Sequence, residues 1–141
     1  MTDTLYDTRG LAHITYDKWF GTGSPATTVA YPTTGSGDDQ FKFVVPSSTV
    51  TRFDGAGRAI ASIERSGADE RWRTTTTYRG DRTLVDPPTG GTPTMEITDA
   101  RGNVVELHQY LGSSPSGTSQ VTKYVYDAAS RLKQVTDPAT N

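Results

Sequence analysis

The sequence predicts an all-β protein built from consecutive antiparallel hairpins in one twisted, curved, open sheet. Three observations carry that expectation. Apolar residues make up 33% of the 141, below the about 45–50% of an ordinary globular domain, so a thick closed core is not expected. Thr, Gly, Ser and Pro are plentiful while Leu, Met and Ala-rich helical runs are scarce, a balance that favours strands and turns. Finally, one short phrase returns four times: TLYDTRGLAHI at 4–14, TRFDGAGRAIASI at 51–63, EITDARGNVVEL at 96–107 and KYVYDAASRLKQVTD at 123–137. A phrase repeated four times is a structural unit.

Each copy reads as two alternating runs joined by a tight turn. In the last copy Tyr124 and Tyr126 share one strand face and Val125 points the other way. After the turn, Leu132, Gln134 and Thr136 alternate with Lys133 and Val135. The turn chemistry explains the aspartates. Asp7, Asp54, Asp99 and Asp127 stand where a type I turn begins, so their carboxylates are expected to accept backbone N–H groups about two residues on. A left-handed residue then closes the loop as a bulge. Gly10, Gly57 and Gly102 suit that place because they lack a Cβ. The fourth copy puts Ser130 there, at a strain of roughly 1 kcal/mol. The aromatics before Asp, namely Tyr6, Phe53 and Tyr126, are expected to cover a thin sheet, and Thr98 replaces them in the third copy.

Taken along the chain, further phrases are decayed versions of the unit. ITYDKWFG at 14–21 keeps Tyr16-Asp17 but loses the short turn. Residues 21–40 follow as a flexible loop of low complexity. AIASIERSGADERW at 59–72 is the best helix candidate, and Ser66-Gly67 interrupts it, so no helix is expected. TTTTYRGDRTLVDPP at 74–88 keeps Tyr78 and a tight Gly turn after a β-branched run. Segments 86–94 and 112–120 are Gly-, Pro- and Ser-rich surface connections. The whole of 1–141 is expected to be a single hairpin array. The closing TDPATN reads like the opening of another repeat, so the sequence is expected to be a piece of a longer array.

The formal net charge is −2 with no Lys/Arg run, which lacks the footprint of a nucleic-acid binder. No long apolar stretch suggests a membrane span and no signal peptide opens the chain. There is no cysteine, hence no disulfide or thiolate chemistry.

Little in the sequence points to catalysis or a cofactor. Neither His13 nor His108 has an acid or second histidine at ligand spacing, so both are expected to be solvent-facing strand residues without metal. No Gly-x-Ser-x-Gly elbow is present. The Gly-rich GAGRAI opens a strand and lacks the helix N-terminus of a phosphate loop. Arg79-Gly80-Asp81 spells an integrin-type tripeptide, but Gly and Asp are what a turn needs anyway. Asp38 and Asp39 have no ladder of Ca²⁺ ligands around them. Lys18, Lys42, Lys123 and Lys133 with Asn103 give no specific isopeptide pairing. Four aromatics, Trp19, Phe20, Tyr31 and Trp72, are the candidate ligand-binding residues, because exposed rings can stack on sugars.

The phrase resembles the YD repeats of the Rhs (rearrangement hotspot) family of bacterial proteins, related to the teneurin shell of animals. The resemblance rests on Tyr126-Asp127 with Arg131-Leu132, Phe53-Asp54 with Gly57-Arg58, Asp99 with Gly102, and Tyr6-Asp7 with Gly10. The Gly-, Ser- and Thr-rich loops resemble the actinobacterial branch. The resemblance implies hairpins added side by side into a shell wall, secreted or at the cell surface and commonly enclosing a toxin. It implies neighbouring repeats of a parent chain as partners, with self-association through edge strands a further expectation. No catalytic residue is assigned. A carbohydrate or cell-surface ligand-binding module is the second reading.

Overall fold

The computed structural model describes residues 3–17 and 46–138. Within them lie ten strands: β1 (Asp3–Tyr6), β2 (Ala12–Tyr16), β3 (Ser47–Phe53), β4 (Ala59–Ser66), β5 (Asp69–Arg79), β6 (Arg82–Asp86), β7 (Thr94–Thr98), β8 (Val104–Tyr110), β9 (Ser119–Tyr126) and β10 (Leu132–Thr136). The described residues contain no α-helix. Hydrogen-bonded neighbours follow the order of the sequence from β1 to β10, so the sheet is open and the chain never crosses over. The expected all-β hairpin sheet is therefore what the chain forms. Ala59–Trp72, the best helical stretch on paper, is β4, a turn at Gly67-Ala68 and the start of β5. The chain packs as two compact units, Met1–Arg73 and Thr74–Asn141.

In the first unit, period-two alternation builds one apolar face. Leu5 pairs with Ile14, Ile14 with Val50, and Val50 with Ile63. Ile14, Val50 and Ile63 are fully buried, and Tyr16 and Ala61 join them. The opposite face carries the polar row Thr4, Thr15, Thr49 and Glu64, in which the Thr49 hydroxyl donates to the Glu64 carboxylate at 2.8 Å. Burying the β-branched row removes it from water at about 25 cal/mol per Å², whereas the threonine row can stay solvated.

In the second unit the equivalent row is Leu84, Met95, His108 and Val121. Met95 is its buried member; Tyr110, two residues along β8 from His108, is buried on the same face, and its hydroxyl donates to the Met95 sulfur at 3.8 Å. His108 corrects an expectation here. It is half-buried, not solvent-facing, because strand periodicity puts residues 106, 108 and 110 on one face with Tyr110. Its ring nitrogens meet the Glu106 carboxylate and the Ser119 hydroxyl, each at 3.1 Å, so an acid two residues away does engage it. His13 is also half-buried, with Nδ1 2.9 Å from the Thr51 carbonyl.

The covering aromatics differ among themselves. Phe53 and Tyr126 are half-buried, but Tyr6 is 65% exposed. Tyr6 lies on β1, which has one described strand neighbour, whereas β3 and β9, which carry Phe53 and Tyr126, have a strand on both sides. Thr98 does something the aromatics do not. Its N–H and hydroxyl both donate to the Asp81 carbonyl, at 2.9 and 3.2 Å, tying the third phrase to the preceding turn.

Candidate functional site: the aspartate turns

The connections sort by chemistry. Two hairpins, β4–β5 and β5–β6, close through two-residue loops led by a left-handed glycine, Gly67 (φ 58) and Gly80 (φ 59). Glycine at the first central position is the signature of a type II′ turn, whose twist matches the strands it joins. Arg79-Gly80-Asp81 is thus a hairpin tip, with the Asp81 carboxylate 3.5 Å from Arg82.

The other class is the four-times-repeated aspartate turn, which follows β1, β3, β7 and β9. Its geometry is the same each time. The aspartate N–H donates to the carbonyl four residues on, at 2.8 Å for Asp7, 3.0 Å for Asp54, 2.9 Å for Asp99 and 2.9 Å for Asp127. Its own carbonyl accepts from the residue three on: Gly10, Gly57, Gly102 or Ser130. Those residues have φ of 78°, 78°, 84° and 58°. Beside every one of these turns the strand register shifts, between Leu5/Tyr6, Arg52/Phe53, Ile97/Thr98 and Leu132/Gln134. A type I turn followed by a left-handed bulge residue has this form.

The carboxylate completes the loop. In each copy Oδ1 accepts two backbone N–H groups, from the residues two and four positions on. They are Arg9 and Leu11, Ala56 and Arg58, Arg101 and Asn103, and Ala129 and Arg131, all at 2.8–3.0 Å. Oδ2 takes a side chain: Arg9 on Asp7, Arg58 on Asp54, Asn103 on Asp99 and Arg131 on Asp127. These donors favour the ionised form. The Leu11 N–H and the Arg9 side chain hold Asp7 below its ordinary value. The Arg58 N–H leads for Asp54, the Asn103 amide for Asp99 and the Arg131 N–H for Asp127, each lowering the carboxyl in the same sense.

Sequence reasoning missed the arginines that leave their own turn. Arg9 Nη1 donates to the Asp54 carbonyl at 2.6 Å. Arg101 Nη1 donates to the Ala128 carbonyl at 2.9 Å, and the Asn103 amide reaches the Ser130 hydroxyl at 3.2 Å. In the first unit this brings Asp7 and Asp54 together; in the second it brings Asp99 to Asp127 and Ser130. The only sequence signal was an arginine two places after Asp in those two copies, where the others have alanine.

Of the candidate ligand-binding aromatics, Trp72 lies on β5 and is 60% exposed. Trp19, Phe20 and Tyr31, like the loop 21–40, fall outside the described residues. Among the described residues no cluster of three or more His, Asp and Glu side chains could hold a metal ion. Nor is any helix there long and apolar enough to cross a membrane, which says nothing about strands.

Comparison with known proteins agrees with this geometry. Residues 99–141, which hold the third and fourth aspartate turns, match the family model described as RHS Repeat. No curated protein matches the sequence. A solved structure titled "Crystal Structure of TcdB2-TccC3" is similar in fold, with a TM-score of 0.65 and 19% identity over 97% of this chain. The chain spans 7% of that chain's length. Nothing in these matches speaks to the actinobacterial branch. Residues 99–141 are thus similar to an RHS repeat, and the chain as a whole shares its fold with the TcdB2-TccC3 structure.

Proposed function

We propose that the chain is a wall segment of an Rhs-type shell, one that encloses or scaffolds other material, typically a toxin, outside the cell or at its surface. The observation that carries this reading is the unbroken sequential order of the strands, stapled by aspartate turns. Such an array grows by adding hairpins and needs neighbours for each one, as a wall does. Its partners in this reading are the adjoining repeats of a parent chain and the cargo they surround. We assign it no catalytic residue and no cofactor.

The second reading, a glycan-binding or cell-surface ligand-binding module, has one specific support: the exposed indole of Trp72 on β5. A glycan array separates the two. The wall reading expects no bound glycan from the native chain. A glycan retained by the native chain and lost in Trp72→Ala or Trp19→Ala would replace it with the binding reading.

A further inference from the structure

Two of the four aspartate turns carry arginine two positions after the aspartate, at Arg9 and Arg101; the other two carry Ala56 and Ala129 there. The difference matches what comes next in each unit. After the turn of Asp7, the next turn at that end of the strands is the aspartate turn of Asp54, and Arg9 reaches its carbonyl. After the turn of Asp99 comes that of Asp127, and Arg101 reaches the Ala128 carbonyl. The acceptor turns have the complementary arrangement. Their arginines, Arg58 and Arg131, sit four positions after the aspartate and fold back on its own carboxylate.

We propose that Arg9 and Arg101 are coupling residues that fasten each aspartate turn to the following one, so that hairpins β1–β2 and β3–β4, and likewise β7–β8 and β9–β10, work as donor–acceptor pairs. The chemistry suits arginine. Its guanidinium has five N–H groups in a fixed fork, so one edge can serve its own turn while the other crosses over. Arg9 does both: Nε and Nη2 hold Asp7 Oδ2 at 3.0 and 2.9 Å while Nη1 takes the Asp54 carbonyl. Asp54's carbonyl already accepts the Gly57 N–H, so its second lone pair is what the neighbour uses. In the later pair the two jobs are divided. Asn103 holds Asp99 Oδ2, which releases Arg101 for the crossing, and the same amide adds the contact to Ser130. The acceptor atom differs by one residue between the pairs, the first turn carbonyl in one and the second in the other. The arginine fastening therefore depends on the turn being folded and not on a side chain of the acceptor; only the added Asn103 contact uses one, the Ser130 hydroxyl.

The coupling acts through the neighbour, so it is read there. Amide hydrogen exchange on the 141-residue chain compares Arg101→Ala with Arg131→Ala, and Arg9→Ala with Arg58→Ala. Arg101→Ala is expected to speed exchange of the Ala129 and Arg131 N–H groups about threefold, the scale of one exposed hydrogen bond, although Arg101 lies in a different turn. Arg9→Ala does the same at Ala56 and Arg58. Arg131→Ala speeds its own turn and leaves the Arg101 and Asn103 amides unchanged. Arg101→Lys, which keeps the charge but loses the fork, falls between Arg101→Ala and the native chain, and serves if the alanine variant unfolds. Unchanged exchange at residues 129–131 in both Arg101 variants overturns the proposal, as does equal disturbance of both turns by Arg131→Ala.

Discussion

A carboxylate that accepts two backbone N–H groups and a side-chain donor is worth more to the fold when ionised than when protonated. Asp7, Asp54, Asp99 and Asp127 are all in that state, and each is held below its ordinary value of 3.8. The lowered folded values fix the direction of the pH dependence. The contribution of the turns is complete above the unfolded value, starts to fade as the pH drops past about 3.8, and is gone below the lowered folded values. An acid titration followed by circular dichroism is expected to show stability falling in that window. With all four aspartates changed to asparagine, that fall flattens; an unchanged acid transition counts against the turn chemistry. These residues were legible because their partners lie within four positions. Arg9 and Arg101 were not, since their acceptors lie 45 and 27 residues away. His108 was misjudged only partly for that reason: Ser119 reaches it once β8 and β9 pair, but Glu106 and Tyr110 lie two residues away on the same face of β8.

Among the hairpins, β9–β10 has a local conflict. Ser130 holds a φ of 58°, the one positive value at a non-glycine position among the described residues. Relief of left-handed strain is worth roughly 1 kcal/mol, and glycine's greater freedom in the unfolded chain takes back part of it. The exposed contact from Asn103 is also lost. Ser130→Gly is therefore expected to stabilise the chain by about 0.5 kcal/mol, visible as a higher midpoint in urea with the slope unchanged. A lower midpoint would mean that the Asn103 contact outweighs the strain. The turn itself could be read from spacing alone, because Asp followed three positions later by a residue suited to the left-handed conformation forms a local code. The strand faces could be read less well. Alternation suggested that Tyr6 would cover the sheet as Phe53 and Tyr126 do, but what a ring covers depends on the strands beside its own, and β1 has one described neighbour where β3 and β9 have two. Thr98, taken as a weak copy of the aromatic, instead ties its strand to the Asp81 turn.

For the molecule as a whole, the unfinished surface is β10. Its one described strand neighbour is β9, and it leaves Leu132 55% and Val135 50% exposed, with Val125 of β9 at 46%. A strand edge without a described neighbour, on a strand bearing exposed apolar side chains, is a template for another strand. Sedimentation velocity over a range of concentrations is expected to show dimers or larger species growing with concentration, reduced by Val135→Lys. A single monomeric species throughout would show that this side is protected. The composition hinted at such a surface by promising too few apolar residues for a closed core; which strand exposes them required the register.

The sequential strand order has a kinetic consequence. Every strand docks on its predecessor, so most pairings close only a short stretch of chain, and the array can zip up nearly as fast as hairpins form. The exception is Tyr16 opposite Ser48, a pairing of residues 32 positions apart in the sequence, which costs more chain entropy to close than the others. The slowest step of assembly is therefore set at that junction, by the length of the intervening chain more than by the strength of any contact.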